Sequence, residues 1–324
     1  MGLIESPIAI IGPLPPPLGG VSESVRRFLE VVRSTGRVVR HAAPKGVMSQ
    51  AHLAITSLLS PNWALIANVS TANGLVAAAV TASVTRSLRR VVFIHGSILS
   101  QQLLNGTRLK QALIRRALGT FDEVWINNED ECAKWRSSIT DLSLLVVSPF
   151  SSLKSGEEPD SSSTDRSFDL LCAEGLAEPE TYGLDLVVEA WEFLRQANPH
   201  LSLVALLYGG SPEATASRKS ALEARGVTTY ADLDSDDVGV LLGKTATVIR
   251  PTSRDGDSLM VREALTNGCR VLTSGVVPRP LGCESVELTT EAIIDGIQNG
   301  GKPTDGAGLG VEPFEALFNR AFKA

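Results

Sequence analysis

The sequence predicts an α/β protein of two domains, each built on a parallel sheet that helices cover on both faces. Apolar runs of strand length alternate with helix-patterned segments in both halves of the chain. A serine-rich polar stretch without periodicity, residues 151–167, separates the halves and is typical of a linker. The 324 residues, 43% of them hydrophobic, suffice for two ordinary domains, predicted at 1–150 and 168–310.

Composition excludes several classes of protein. The longest apolar run falls short of the roughly 18 residues that a membrane span needs, and the first residues lack the pattern of a signal peptide, so we expect a cytoplasmic protein. The four cysteines are scattered without a C-x-x-C pair, which predicts small buried side chains and neither a disulfide framework nor a zinc site. The sequence contains no cluster of metal-ligating residues.

Charge is distributed unevenly between the halves. Residues 1–150 hold 15 Lys and Arg against 9 Asp and Glu, whereas residues 151–324 hold 15 against 27. A basic first half and an acidic second half indicate different partners.

The first half opens with a strand pattern at 7–11, a proline-rich loop and a helix pattern at 21–33. Gly19 and Gly20 would let the backbone approach a ligand at the start of that helix. The loop is no G-x-G-x-x-G fingerprint and has no Walker lysine, which disfavours NAD binding and P-loop chemistry. Further strand patterns lie at 38–42, 64–67, 91–94, 123–126 and 144–147, and helix patterns at 50–59, 74–86, 98–118 and 129–136.

Polar residues follow two of these strands. His95 directly follows the strand pattern at 91–94, and Asn127 and Asn128 follow the pattern at 123–126. Ligands of open parallel sheets bind beyond the carboxyl ends of the strands. Each of these residues is a candidate ligand contact, although a histidine that caps a strand and asparagines that shape a turn would look the same.

Two basic stretches lie in the first half. One contains Arg86, Arg89 and Arg90; the other, on the helix pattern TRLKQALIRRAL, contains Arg108, Lys110, Arg115 and Arg116. Leu109, Ala112, Leu113 and Ala117 are the predicted buried stripe of that helix. The basic residues indicate either a solvated face or contact with an anionic membrane surface or lipid phosphate. Without interleaved aromatic residues they do not indicate nucleic-acid binding.

After the linker, strand patterns at 168–173, 201–207 and 227–230 alternate with helix patterns at 184–196, 212–225 and 236–242. Gly209 and Gly210 form a turn after the second of these strands.

The stretch 249–280, IRPTSRDGDSLMVREALTNGCRVLTSGVVPRP, opens at the end of an apolar strand pattern at 246–249 and continues through a loop, a helix and a second strand, which together make a βαβ unit. Asp255 lies in the loop, and Glu263 lies eight residues on, in the helix. Asp257 or Ser258 is the predicted N-cap, so free N–H groups of the first turn favour an anion there. Two carboxylates beside a phosphate site suit a ligand that is phosphorylated and rich in hydroxyls, such as a nucleotide sugar.

Asp255-x7-Glu263, followed by Ala264-Leu265 and by Asn267-Gly268 before a strand, resembles the E-x7-E motif of the retaining family 4 glycosyltransferases. The resemblance implies the GT-B fold, in which two Rossmann-like domains face each other across a cleft. The first domain would bind the acceptor and the second the nucleotide sugar, and a C-terminal helix at 311–324 would pack back on the first domain. The resemblance also implies metal-independent transfer without a cofactor, from a UDP- or GDP-linked sugar, in envelope or exopolysaccharide synthesis near the inner face of the membrane.

The family implies roles for individual residues. Asp255 would lie near the donor sugar, Glu263 would hold the ribose hydroxyls, and His95 would contact the sugar or the acceptor. Asn127 and Asn128, by their position after the next strand pattern, would bind an acceptor hydroxyl. The expected donor-binding set is Gly19, Gly20, Gly209, Tyr230, Arg254, Gly256, Asp257, Ser258, Leu259, Arg262 and Glu263.

A second resemblance and a departure from the family lie together. The run YGLDLVVEAWEFLRQANPHLSLVALLYGGSPE resembles the family's KGxDxLLxAF stretch with its glycine turn. The family places an Arg and a Lys before this helix to hold the donor diphosphate, but here Tyr182 stands at the Lys position and no Arg is present. Arg254, Arg262 or Arg279 would have to replace them. The departure motivates an alternative to glycosyl transfer, an inactive binding or scaffold protein of this fold. A sugar-nucleotide epimerase of the same architecture is a further alternative.

Overall fold

The computed structural model describes residues 7–14, 20–34, 37–42, 63–84, 89–96, 98–127, 129–139, 142–147, 166–255, 258–277, 279–280 and 282–304. The predicted helices at 50–59 and 311–324 and most of the predicted linker lie outside these residues. The chain divides into two compact units, each with its own sheet.

The first unit is built on a six-stranded, wholly parallel sheet. Its strands are β1 (Ile8–Ile11), β2 (Val39–Ala42), β3 (Ala64–Val69), β4 (Arg89–Ile94), β5 (Glu123–Ile126) and β6 (Leu144–Val146), in the order β2-β1-β3-β4-β5-β6. The helices are α1 (Gly20–Ser34), α2 (Ala72–Val84), α3 (Ile98–Asn105), α4 (Arg108–Leu118) and α5 (Glu129–Ser138). The strand order reverses between β1 and β3, and crevices form at such points in open sheets.

Both faces of this sheet are covered, because successive side chains along a strand point to opposite faces and each face has its own hydrophobic core. Ile8 and Ile10 of β1 pack with α1, whereas Ala9 and Ile11 pack on the opposite core with α2 to α5.

The second unit has a seven-stranded sheet. Its strands are β7 (Phe168–Gly175), β8 (Leu203–Tyr208), β9 (Thr228–Ala231), β10 (Thr245–Arg250), β11 (Arg270–Ser274), β12 (Cys283–Val286) and β13 (Lys302–Pro303), in the order β13-β12-β11-β10-β7-β8-β9. Only the β12–β13 pair is antiparallel. The helices are α6 (Leu184–Ala197), α7 (Pro212–Glu223), α8 (Ser235–Gly243), α9 (Leu259–Thr266) and α10 (Thr290–Asn299). Here the order reverses between β7 and β10.

The predicted α/β class and doubly wound parallel sheets are confirmed. The four cysteines, Cys132, Cys172, Cys269 and Cys283, are buried free thiols, as predicted.

The single helix predicted at 98–118 is wrong. The structure divides it into α3 and α4 at Gly106, where a Cβ would lie 2.2 Å from the carbonyl oxygen of Gln102. Thr107 then caps α4 by accepting a hydrogen bond from the N–H of Lys110.

The stripe predicted for α4 is wrong except at Ala117, because Ala112 is exposed together with the two leucines. Its buried residues are Ile114, Ala117 and Leu118, whereas Leu109 and Leu113 are exposed. Helical periodicity is compatible with either stripe, and the break at Gly106 sets which side of the new helix meets the sheet.

Candidate functional site

The loops that follow β7 and β10 meet at the point where the second sheet reverses its strand order. β7 and β10 are adjacent parallel strands, so their carboxyl ends, Gly175 and Arg250, lie at the same edge. The loop after β10 carries Asp255, and α9 begins shortly beyond it. This edge is where an open parallel sheet binds ligands.

Asp255 is held between two arginines. The guanidinium of Arg250 donates from Nε to Oδ2 at 2.8 Å and from Nη2 to Oδ1 at 3.1 Å, which is a bidentate pair. Arg279 Nη1 donates to Oδ2 from the other side at 2.9 Å. None of the three side chains is more than 11% exposed. We call this group, Arg250, Asp255 and Arg279, the arginine clamp.

The clamp keeps Asp255 ionised. Burial by itself would raise the pKa of the Asp255 carboxyl, but the charges and hydrogen bonds of Arg250 and Arg279 outweigh burial and lower the pKa to about 2. One carboxylate thus faces two guanidiniums, and the clamp has an excess of positive charge. Further N–H groups remain beyond those bound to Asp255: Arg279 Nη2 lies 3.5 Å from Thr252 Oγ1, and its buried Nε has no hydrogen-bond partner among the described residues.

Tyr182, which replaces the family's lysine, packs on the clamp. The Arg250 guanidinium carbon lies 5.4 Å from the centre of the Tyr182 ring, within the range of a cation–π contact. Tyr208 meets the same ring edge-on, with ring centres 5.7 Å apart. Gly175 lies beneath, where a Cβ would come within 2.8 Å of the Tyr182 hydroxyl. The tyrosine therefore orients Arg250 and supplies no cation of its own.

The structure distinguishes the three arginines that were predicted to replace the family's diphosphate-binding Arg and Lys. Arg279 belongs to the clamp. Arg254 instead forms an ion pair with Glu178, and Arg262 is half-buried on α9. Sequence reasoning missed Arg250, although its place as the last residue of β10 and its spacing of five from Asp255 were visible signals.

At the start of α9, Ser258 is the N-cap, as one of the two predicted alternatives had it, but its side chain makes no capping hydrogen bond. Leu259 is the first helical residue, and Glu263 is half-buried one turn further on. Gly256 and Asp257 lie outside the described residues.

The glycine turn after β8 is sterically required. Gly209 has a φ of 73°, and its N–H donates to Asp232 Oδ1 at 3.2 Å. A Cβ on Gly210 would lie 2.7 Å from Leu176 Cδ1. Tyr230 lies in β9, half-buried against the core that α8 and α9 cover.

In the first unit, His95 follows β4 as predicted and is buried. Its Nε2 lies 3.0 Å from Asn68 Oδ1 in β3, and Asn68 Nδ2 donates to the Ile11 carbonyl at 3.2 Å. That carbonyl can only accept, so the Asn68 oxygen faces His95, and His95 Nε2 must carry the proton. Burial lowers the pKa of His95 to about 3, so the ring is neutral and its Nδ1 is the acceptor.

The other site residues predicted within positions 1–150 are two glycines at the start of the first predicted helix and two asparagines after β5. Asn127 is buried directly after β5, and Gly20 is the first residue of α1. Gly19 and Asn128 lie outside the described residues. Sequence reasoning missed Asn68, because its polar side chain is hidden within an apolar strand.

Replacing Asn68 by alanine is expected to cost about 1–3 kcal/mol of stability, because the buried N–H of His95 loses its acceptor. The same change should let the imidazole populate both neutral tautomers, which ¹⁵N shifts of the ring report. In the wild type those shifts should stay those of one neutral tautomer down to pH 5. Asn198→Ala, at an exposed asparagine, is the matched control and should stay within about 0.5 kcal/mol. A ring that keeps one tautomer in Asn68→Ala would contradict the assignment.

Within the described residues, no group of three or more His, Cys, Asp or Glu side chains is arranged to hold a metal ion. Over the same residues, none of the helices combines the length and apolar character that crossing a bilayer requires.

No family model matches this sequence, and no curated protein sequence does. Solved structures are similar in fold, and they confirm the predicted two-domain GT-B fold. HepE of Anabaena, in complex with UDP-glucose, is 14% identical with a TM-score of 0.63, over 98% of this chain and 95% of that one. Sucrose-phosphate synthase of Thermosynechococcus elongatus is 14% identical with a TM-score of 0.66, over 90% of this chain and 89% of that one. The pneumococcal O-GlcNAc transferase GtfA, in complex with UDP and GlcNAc, is 13% identical with a TM-score of 0.53; the match covers 85% of this chain and 56% of GtfA.

Proposed function

We propose that this chain is a retaining glycosyltransferase, which moves a sugar from a nucleoside diphosphate to a hydroxyl group of an acceptor. The observation that carries the proposal is the arginine clamp at the strand-order reversal of the second sheet, next to the first turn of α9. Neighbours of the same fold that hold UDP or UDP-glucose support a UDP-linked donor.

The clamp can compensate the negative charge of the donor diphosphate, which the family's missing Arg and Lys would otherwise neutralise. A diphosphate brings at least two negative charges out of water and needs guanidinium or ammonium partners. Arg250 and Arg279 provide two fixed cations, and their planar N–H groups suit phosphate oxygens. In this proposal Asp255 pairs with both guanidiniums before the donor binds. When the donor binds, its diphosphate pairs with the guanidiniums instead, and Asp255 faces the sugar.

The reaction we propose breaks the bond between the anomeric carbon and the phosphate oxygen and forms a bond from that carbon to the acceptor oxygen, on the same face of the sugar. The acceptor proton passes to the departing phosphate. The clamp and the free N–H groups at the start of α9 would stabilise the charge that develops on that phosphate. Glu263 would hold the ribose, with Arg262 and Arg254 nearby, and the mechanism requires no metal.

In the first unit, neutral His95 would accept a hydrogen bond through Nδ1 from a sugar or acceptor hydroxyl, and Asn127 would bind the acceptor. The acceptor class we propose is a glycan or lipid-linked hydroxyl, in envelope or exopolysaccharide synthesis. Gly209, Tyr230, Gly20, Ser258 and Leu259 would complete the donor site.

The test is a thermal-shift screen against UDP-, GDP- and dTDP-sugars, followed by transfer assays with the sugar that binds. A donor present at 100 times its Kd should add about 2.7 kcal/mol of stability. Glu263→Gln should raise the KM for the donor about tenfold or more, whereas Glu291→Gln, in the first turn of α10, serves as a control and should leave it unchanged. Absence of any shift, or equal kinetics in both variants, would contradict the proposal.

A binding or scaffold protein of the same fold is the second candidate, because Asp255 pairs with both Arg250 and Arg279 and so offsets part of the charge that would otherwise meet a diphosphate. Calorimetry with a panel of nucleotide sugars separates the two functions, because a scaffold should show neither donor binding nor turnover.

A further inference from the structure

Exposed apolar side chains of the first unit gather on three consecutive helices. They are Val76, Val80 and Val84 of α2, Leu104 of α3, and Leu109 and Leu113 of α4, with exposed fractions from 36% (Val76) to 71% (Leu109). We call them the α2–α4 face. Elsewhere in the described part of the chain, only four large apolar side chains are comparably exposed, and they are scattered: Val38, Phe193, Val240 and Leu288. Single exposed apolar residues need no explanation, but a concentration of them indicates an interaction surface.

The arrangement follows helical geometry. Val76, Val80 and Val84 are spaced by four, so they line one side of α2, while its other side packs into the core through Leu75 and Ala82. Leu109 and Leu113 repeat this spacing on α4, where they lie beside the buried stripe of Ile114, Ala117 and Leu118. α2 and α4 are packing neighbours on the same side of the sheet, and α3 contacts α4.

The charges on these helices have one sign. α2, α3 and α4 contain no Asp or Glu, whereas α4 carries Arg108, Lys110, Arg115 and Arg116. Among the described residues, no carboxylate forms an ion pair with these four side chains. The other basic stretch differs, because Arg89 pairs with Glu123 and Arg90 with Asp122, and Arg86 lies outside the described residues. These ion pairs neutralise Arg89 and Arg90, which makes the stretch at 86–90 a poor candidate for the predicted contact with an anionic membrane. The cations of α4 remain candidates for that contact.

We propose that the α2–α4 face docks on an anionic lipid bilayer. The valine and leucine side chains would enter the boundary between headgroups and acyl chains, and the α4 cations would bind lipid phosphates. A second copy of this chain fits less well, since a symmetric pairing would place the α4 cations of both copies against each other. The inference goes beyond the proposed transfer reaction and rests on different residues, so either can fail alone.

The experiment is co-sedimentation of the full chain with vesicles of phosphatidylcholine alone or mixed with phosphatidylglycerol. We expect binding to the mixed vesicles, weakened by salt, and little binding to phosphatidylcholine. Val80→Asp with Leu109→Asp should lower the partition coefficient about tenfold or more. Arg115→Glu with Arg116→Glu should lower it at least about fivefold for each residue.

Val240→Asp is the matched control, because Val240 is 58% exposed on α8 in the second unit while Val80 is 61% exposed. It should bind vesicles like the wild type, and thermal melts should show that every variant is folded. Failure of the wild type to bind mixed vesicles, or equal binding by Val80→Asp/Leu109→Asp, would overturn the proposal. A concentration-dependent dimer that Val80→Asp/Leu109→Asp dissociates, without vesicle binding, would overturn it in favour of contact between copies.

Discussion

Replacing Asp255 by asparagine is expected to lower the free energy of unfolding by about 3–5 kcal/mol, because it leaves two buried guanidiniums without their anion. Chemical denaturation measures the loss. Asp185→Asn is the matched control: Asp185 also pairs with an arginine, Arg218 at 2.8 Å, but its side chain is 67% exposed. That variant should lose no more than about 1 kcal/mol.

The same variant tests whether the clamp binds phosphate groups. In Asp255→Asn the guanidiniums lack their internal anion, so inorganic pyrophosphate should raise the melting temperature of the variant more than that of the wild type. Equal shifts in the two proteins would mean that phosphate does not reach the clamp, whatever the loss of stability.

The pH dependence has a defined sign. The pKa of Asp255 in the folded chain, about 2, lies below the ordinary value of 3.8 for an aspartate. Its contribution, about 2 kcal/mol, is therefore fully present above about pH 4 and is lost as the pH falls through 2. Asp255→Asn should lack this part of the acid dependence, as denaturation curves between pH 5 and 2 would show.

Replacing Gly183 by alanine is the second change with a large expected effect, a loss of about 2–5 kcal/mol. Gly183 precedes α6 with a φ of 65°, which costs an L-residue about 1–2 kcal/mol. A Cβ would also lie 2.5 Å from the carbonyl oxygen of Pro251, and overpacking of this kind costs about 1–3 kcal/mol. Pro251 directly follows Arg250, so the shift that relieves the clash should also disturb the clamp and weaken donor binding.

Gly239→Ala is the control for this variant. Gly239 lies within α8, and nothing lies within 4 Å of the position of its Cβ. Alanine there should be neutral or stabilising by up to about 1 kcal/mol, since it favours the helix. Thermal or chemical unfolding of both variants makes the comparison, and a Gly183→Ala protein as stable as Gly239→Ala would show that the loop accommodates a side chain.

Local patterns predicted most of the framework. Apolar runs placed β3, β4, β7, β8 and β10 within a few residues of their observed ends, because buried parallel strands need continuous apolar side chains. The glycine turn at Gly209 and the start of α9 at Ser258 were also predicted, since backbone conformation there depends on a few neighbouring residues.

By itself, the sequence determined the α/β class, the doubly wound sheets and the strand ends where His95 and Asp255 lie, because these depend on periodicity and on residues close together in the chain. The tertiary structure alone decided the partners of those residues. Arg279 reaches Asp255 from 24 positions away, and Asn68 reaches His95 from 27. It also decided that Leu109 and Leu113 face outward, since the side of α4 that packs on the sheet depends on the interruption of the helix at Gly106. Such contacts join side chains from separate strands and loops, and only the order of the strands in the sheet brings these side chains together.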